Sequence, residues 1–341
     1  NSSGSNNVGV GVAALANNTS RSGLVAIGDS ALFNNGTGVS QSFHATLNTA
    51  VGSKAMLANT TGYQNTATGA QAMSANTSGT SNTAHGAYAL LENVSGSDNT
   101  AIGRSSLYNN VGGISNTGVG SIALFNNTGN YNTAIGLSAL GDNTTGSANT
   151  GLGYNAEVSL GNLTNATAIG NGAIVNASNK IRLGNSAVTV IEGQVAYTTS
   201  DGRFKKNLQE NVPGLDFIAG LRPLTYQYKS YEMERFMSQN NPRRQAALRQ
   251  SDFAEAESMV HMGFVAQEVE QLVKEKGLKL SLVHAPTNPT DNYSIAYGEL
   301  IVPMVKAMQE LNEKNAALQA TLNAQQKMIE ELKAAVEKMK R

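Results

Sequence analysis

The chain has 341 residues, a formal net charge of zero from 24 basic and 24 acidic residues, no cysteine and four histidines. A balanced charge gives no reason to expect nucleic acid or an anionic membrane as partner, and the lack of thiols excludes disulfide frameworks, thiolate metal sites and cysteine nucleophiles. His44, His85, His261 and His284 stand at no metal-ligand spacing, so neither a metal nor another cofactor is expected. No apolar run reaches the roughly 20 residues a membrane-spanning helix needs. The start, NSSGSNNVGV, carries no basic-then-apolar signal pattern. Membrane insertion is therefore not expected, and export implies a removed signal, another route, or a sequence that is a fragment.

Charge is distributed unevenly. Up to Val195 there are five basic residues (Arg21, Lys54, Arg104, Lys180, Arg182) and six acidic ones (Asp29, Glu92, Asp98, Asp142, Glu157, Glu192). The segment is otherwise rich in Gly, Asn, Ser, Thr and Ala, a composition that would predict disorder in an aperiodic chain. It is periodic, however. Glycines at 11, 28, 52, 69, 86, 103, 120, 136, 153 and 170 close units such as NTAVG, NTAHG and NTAIG, spaced by 17 residues apart from one step of 16 and one of 24. Four positions later stands a large apolar residue (Leu15, Leu32, Met56, Met73, Leu90, Leu107, Leu124, Leu140, Ile174), broken only by Glu157. Seven positions after the glycine comes an asparagine in most units, and a further glycine follows it.

Seventeen residues are too few for a helical repeat pair and suit one turn of a β-solenoid with two short strands. Glycines and asparagines are expected to supply positive φ at the corners, with the Leu/Met and Ile/Val columns stacked inside and the NNT and NTT loops facing solvent. At about 4.8 Å per turn, ten turns make a rod roughly 50 Å long. The NTAxG units resemble the head repeats of trimeric autotransporter adhesins over roughly residues 7–184. That resemblance implies a left-handed parallel β-roll in which three chains pack side by side. Seven extra residues within GVSQSFHATLN enlarge one loop and bring Phe43 and His44 to its tip, a candidate receptor contact.

Residues 200–300 have globular composition. LRPLTYQYK alternates Leu224, Tyr226 and Tyr228 like a strand, residues 231–259 read as a charged, peripheral helical excursion, and GFVAQEVEQLVKEKG spaces Phe264, Val265, Val269 and Leu272 as a helix stopped by Gly277. A proline-punctuated loop then leads to a second short strand. From Ile301 two heptad columns run to the end: Met304, Leu311, Leu318, Gln325, Leu332 and Met339, and Ile301, Met308, Asn315, Leu322, Ile329 and Val336. Leu in one column and Ile in the other disfavour a dimer, while Asn315 and Gln325 cost stability and fix register, so the tail reads as a three-stranded coiled coil.

In order, SDGRFKKN, LRPLTY, GFVAQEVE and YSIAYGELIVPMVKAMQELN resemble the C-terminal intramolecular chaperone domain of phage tailspikes and tail fibres, the endosialidase type, over about residues 198–320. The resemblance implies a domain that trimerises, nucleates folding of an upstream β-structured shaft, and in many members cuts itself off with a Ser–Lys dyad. Carried onto this chain, it makes Ser200 the nucleophile, Lys205 the base, Asp201 a supporting group and Thr199–Ser200 the scissile bond. The residues themselves leave two readings open. A lysine can take the proton of a serine hydroxyl, but five residues along a continuous α-helix rotate a side chain by about 140°, so Lys205 must reach Ser200 through a turn or come from a neighbouring protomer. Otherwise Ser-Asp caps a helix, with Arg203, Lys205 and Lys206 solvated. His261 is a possible assistant or a structural histidine.

The expected organisation is a mixed β-then-α chain: a β-roll repeat shaft over 1–184, a connector over 185–199, a chaperone domain over 200–300 and a coiled-coil trimerisation helix over 301–341. Its expected role is that of an extracellular homotrimeric fibre on a phage or phage-like tail, or a bacterial surface adhesin of the same architecture, that meets a cell-surface receptor and joins anchoring proteins upstream. Any enzymatic activity is confined to a single self-cleavage with no external substrate. A glycan hydrolase would need paired carboxylates, which six scattered acidic residues do not offer, and a DNA-binding regulator would need a basic base-reading module.

Overall fold

The structure, a computed structural model, describes residues 3–39, 41–191 and 200–339. Thr199, the connector from 192 onward and the last two residues of the coiled-coil segment lie outside the described residues. The chain packs as two units. The first comprises the repeats through Val190 with Tyr228–Ser258 and Thr287–Asp291; the second comprises the segments up to Gln227, Met259–Pro286 and Asn292 onward.

In the first unit the repeats form a parallel solenoid, each turn adding one three-residue strand to an 11-stranded sheet that runs from Val8–Val10 to Ile181–Leu183. The pairing register follows the glycine spacing: Thr83 pairs with Thr100 and Thr100 with Thr117, then Thr117 with Thr133, while Val25 pairs with Thr49 across the long unit. Each NTAxG unit places its alanine inward, as at Ala84, Ala101 and Ala134, all fully buried. The closing glycine holds φ near +130°, and at Gly86 (φ +140°) a Cβ would lie 2.6 Å from the Gly103 carbonyl oxygen one turn on. Only glycine lets successive turns approach this closely.

Four expectations about the turns are corrected. Leu and Met stack inside as expected, but they also take a left-handed corner: Leu32, Met56, Met73, Leu90, Leu107, Leu124 and Leu140 have φ between 47° and 53°, whereas among the asparagines of the repeats Asn6, Asn155, Asn165 and Asn179 have positive φ and the recurrent ones such as Asn76 and Asn93 do not. Left-handed backbone costs a non-glycine residue about 1–2 kcal/mol, and full burial of the side chain contributes about 1.5–3 kcal/mol, so burial wins by a narrow margin. The column is unbranched at Cβ, in keeping with the strain a branched residue meets in that region, although Ile122 accepts φ 53° at the neighbouring corner position. This corner also removes the expected second strand from most turns. Among the described residues it appears only where the column changes to Glu157 and Ile174, neither of which has positive φ; there Glu157–Val158 pairs in parallel with Ile174–Val175.

The Ile/Val column does not stack inside. Val10, Ile27, Ile102, Ile135, Leu152 and Ile169 are exposed, a stripe along the outer face of the sheet beside a column of threonines. Small alanines alternate inward because the Leu/Met column already fills the lumen.

Nor do the asparagines of the NNT and NTT loops face solvent as a group. Asn59, Asn76, Asn93, Asn110, Asn127 and Asn143 are fully buried and form a ladder in which each Nδ2 donates to the Oδ1 one turn back, at 2.9 Å from Asn76 to Asn59 and 2.8 Å from Asn93 to Asn76. Asn93 Nδ2 also donates to Gly96 O at 3.0 Å, and a Cβ on Gly96 would lie 2.4 Å from both Asn93 Oδ1 and Gly113 O, which explains the second glycine of the unit. A second buried ladder runs through Asn65, Asn82, Asn99 and Asn116. A repeat puts an identical partner above and below each amide, which removes the desolvation penalty of burying it.

Beyond the repeats come α1 (Leu215–Ala219), α2 (Ser230–Met237), α3 (Pro242–Ala247), α4 (Ala254–Ser258), α5 (Ala266–Glu275) and α6 (Ile301–Met339). Helices α2 to α4 belong to the first unit and pack on the repeats rather than standing apart. In the second unit Leu224–Tyr226 pairs antiparallel with His261–Gly263, and Val283–His284 with Ser294–Ile295. Phe217, Val269, Leu282 and Leu300 form its buried core, with Phe264 and Leu272 packed against them. Gly277 ends α5 with φ +64°. Glu310 on α6 caps α1, accepting the Leu215 N–H at 2.8 Å.

Candidate functional site

The segment SDGRFKK folds as a tight turn rather than an α-helix. Asp201 is an N-cap with extended backbone whose Oδ1 accepts the Arg203 N–H at 2.9 Å, and Gly202–Phe204 makes a single 3-10 turn. Lys205 leaves that turn extended, with φ −99° and ψ 134°. Extended residues on both sides of so short a turn bring the flanking side chains together, and Lys205 Nζ donates to Ser200 Oγ at 2.9 Å within one chain. Of the two routes open to Lys205, the turn accounts for the contact without a second protomer. The distance suits proton transfer. In the role of base the bond would run the other way, with a neutral amine accepting the hydroxyl proton. Both side chains are exposed in the single chain.

Asp201 does not face this pair. Its carboxylate is held by Arg203, with Nε to Oδ2 at 2.9 Å and Nη2 to Oδ2 at 2.6 Å. The Arg203 side chain first, and then its backbone N–H, hold the Asp201 carboxyl below the ordinary carboxylate range. Asp201 thus shapes the turn that positions Lys205. His261 lies in the strand His261–Gly263 and stacks on Tyr226 with ring centroids 5.8 Å apart.

In α6 the seam residues Met304, Met308, Leu311, Leu318, Leu322, Ile329, Leu332 and Val336 are exposed, as are Asn315 and Gln325 between them; Met308 is 70% exposed. Only Pro303 and Ala307 of α6 are buried, and every described residue from Leu311 to Met339 is exposed. A nearby open apolar groove in the second unit is lined by Leu224, Met262, Phe264 and Tyr297.

On the solenoid, Phe43 is 52% exposed and meets the rings of His44 at 4.7 Å and Tyr63 at 5.6 Å, both edge-on. Sequence reasoning missed what holds this loop. Arg21 reaches into it and donates to three backbone carbonyls, those of Gln41 (2.9 Å), Ser42 (3.3 Å) and Val39 (3.0 Å). A lone arginine in a repeat nearly free of charge was the available signal. Glu157, which only interrupts the apolar column in the sequence, has a partner in the fold. It is buried, its Oε1 accepts the Gly141 N–H at 2.6 Å, and burial, with the nearby Asp142 charge second, pushes its carboxyl well above the ordinary range. The fold thus brings Asp142 and Glu157 together, a pairing the sequence did not reveal, but Glu157 is turned into the solenoid rather than toward a substrate. Among the described residues no cluster of His, Asp and Glu could hold a metal ion, and no helix is long and apolar enough to cross a membrane.

No curated protein and no solved structure matches the chain. A family model does match, that of the chaperone of endosialidase, over residues 200–278, a stretch that opens on Ser200 and holds the turn, the antiparallel strand pair and α5. Residues 200–278 are therefore a domain of the chaperone-of-endosialidase family, carried behind a parallel solenoid and ahead of a long helix.

Proposed function

We propose that the chain is one of three identical subunits of a fibre, in which the C-terminal domain and helix seed trimerisation and folding of the solenoid. A chaperone domain of this family behind a solenoid fits a trimeric fibre-type structural protein. The observation that carries the reading is a pair of uncovered apolar stripes: Ile27, Ile102, Ile135, Leu152 and Ile169 on the sheet, and the Leu, Ile and Met seams of α6. A 39-residue helix with both seams in water is not stable by its own propensity and calls for partners. Each solenoid strand pairs only with the strands one turn away, 14 to 24 residues along the chain, but no single turn buries its own apolar face, so a seed that holds the first turns together shortens the search. Light scattering in mild buffer should give three times the 35.6 kDa chain mass. A single-chain mass overturns the proposal, as do soluble trimers from residues 1–199 expressed alone.

Self-cleavage belongs to the same proposal and is supported by the Ser200–Lys205 contact. Ser200 Oγ would attack the Thr199 carbonyl while its proton passes to Lys205; the peptide nitrogen leaves as the amine, giving an ester, which water hydrolyses to a new carboxylate and a free hydroxyl. Mass spectrometry of fresh protein should find two fragments meeting at 199/200 and one intact species for Lys205→Ala. An intact wild-type chain in assembled trimers counts against it. The aromatic loop at Phe43, His44 and Tyr63 supports contact with a surface receptor. Phe43→Ala with His44→Ala should weaken binding of fluorescent fibres to host cells at unchanged trimer mass, and unchanged binding would remove the loop from the account.

A further inference from the structure

The last turns of the solenoid carry a set of buried polar contacts whose partners all come from later in the sequence than Ser200. Glu234 on α2 is fully buried. Its Oε1 pairs with Arg244 at 3.0 Å, and its Oε2 accepts the hydroxyl of Ser186 at 3.0 Å. Arg244 in turn donates to the carbonyl of Gly172 at 3.2 Å. Asp291, 3% exposed, pairs with Lys180 at 2.9 Å. Between these pairs Asn176 and the 287–291 segment bind reciprocally: Asn176 Nδ2 donates to Thr290 O at 2.9 Å and Asn288 Nδ2 to Asn176 O at 2.7 Å.

These contacts bear on where the pieces go after a cut. Separating the two sides would leave Glu234 beside Arg244 without its shaft partners, and would strand Lys180 and Asp291 as former members of a desolvated pair. Breaking a buried pair is strongly unfavourable, and such pairs are little screened by salt. The segments 228–258 and 287–291 also cover the last turns, where a solenoid otherwise ends on open edges and a half-buried core.

We infer that residues 228–258 and 287–291 form a lock on the last turns of the solenoid that keeps everything after Ser200 bound to the shaft when the backbone between shaft and domain is cut. The surface is the solenoid between Asp142 and Ser186, and its partner is the C-terminal fragment of the same chain. The self-cleaved protein then keeps its domain instead of shedding it. That consequence rests on the self-cleavage proposed above, whereas the lock itself does not, and the experiment separates them.

A recognition sequence for a specific protease is inserted between Ile191 and Ser200 of the full chain in a Ser200→Ala background, so that the only cut is the added one. After digestion verified on a denaturing gel, the two fragments should co-elute on size exclusion, and still do so in about 1 M salt. Glu234→Ala with Asp291→Ala in the same background should separate them. Fragments that part without these substitutions, or that stay together despite them, overturn the lock. Hydrogen exchange on the uncut chain guards against a variant that does not fold or a site the protease cannot reach. Glu234→Ala should speed exchange at residues 157–186 by at least tenfold and leave residues 83–120 unchanged; no difference between the two regions also overturns it.

Discussion

The left-handed corner makes a prediction that opposes the usual ranking of core substitutions. Leu107 is fully buried with φ +51° and hands its N–H to the Ala123 carbonyl at 2.9 Å. Replacing it by methionine keeps the volume and the unbranched Cβ, and should cost less than about 1.5 kcal/mol. Replacing it by isoleucine keeps the volume and the apolar area as well, and in an ordinary core would cost about the same. Here the second Cβ substituent must enter left-handed backbone, which adds about 1–3 kcal/mol of strain; Ile122 accepts φ 53° only at a half-buried position, where its side chain is not packed on all sides as Leu107 is. The expected total for Leu107→Ile is about 3 kcal/mol, roughly a hundredfold in the equilibrium for opening that turn. Ile174→Leu supplies the converse control, because Ile174 occupies the same column in strand geometry without positive φ; it should cost less than about 1.5 kcal/mol. Hydrogen exchange reads the opening of individual turns and so does not require the whole array to unfold as one. If Leu107→Ile exchanges no faster than Leu107→Met, the strain does not explain why Leu and Met fill the column.

The asparagine ladder should be as sensitive as the apolar column. Asn93→Ala removes the acceptor of Asn110 and the donor to both Asn76 and Gly96, and at about 1–3 kcal/mol for each buried group left unpaired it should lower the urea midpoint more than Leu107→Met does. Glu157 should make stability fall with rising pH. Its folded carboxyl titrates well above the ordinary 4.5, so the contribution is fully present below pH 4.5 and is lost as pH climbs toward the folded value. Glu157→Gln should therefore match wild type in acid and overtake it above, by about 1.4 kcal/mol per pH unit, in unfolding curves collected from pH 4 to 8. Because Lys205 reaches Ser200 of its own chain, trimers mixed from Ser200→Ala and Lys205→Ala subunits should show no cleavage by mass spectrometry; cleavage there would mean the lysine acts across protomers.

What the sequence reveals and what it hides follow from where the partner of each residue lies. The turn spacing is legible because the backbone clash at each closing glycine recurs at every turn, and the start of α6 at Ile301 is legible because its heptads begin there. The direction of the Ile/Val column is not, since the alternation in TAI says only that alanine and isoleucine face opposite ways. The choice falls to the alanine because Leu90 and its equivalents reach the lumen from a corner whose backbone no composition rule anticipates. Buried asparagines are hidden because amides normally face water, and only a partner one turn away makes the inside tolerable. Arg21 binds carbonyls of the main chain, which leave no side-chain pattern to find. Glu234 and Arg244 sit in a stretch whose charge is that of a solvated helix, and nothing local marks the pair as buried against Ser186 and Gly172. For Ser200 and Lys205 the sequence supplied the chemistry and a condition, that a turn or a second chain must bring them together; Asp201, through its cap and its grip on Arg203, supplies the turn.

The regularity that makes the solenoid foldable also leaves something unspecified in the trimer proposed for it. Along the outer face of the sheet most turns offer a threonine and an aliphatic residue at about 4.8 Å intervals, with Thr68 and His85 standing in the aliphatic column of two of them, so sliding one chain past another by a turn restores many of the same contacts. An interface built only from that face would hold three chains together without deciding which turn meets which, as any strand pairing with a weakly distinguished face is prone to slip. The largest departures from the repetition lie toward the two ends: the long unit with Phe43 and His44, and the helix whose seams are interrupted by Asn315 and Gln325. A polar residue at a seam position is tolerated when it meets its counterparts, and it penalises every shifted register. Placing that device after the repeats lets register be fixed on a short element that assembles locally, before the long face that cannot fix it has begun to close.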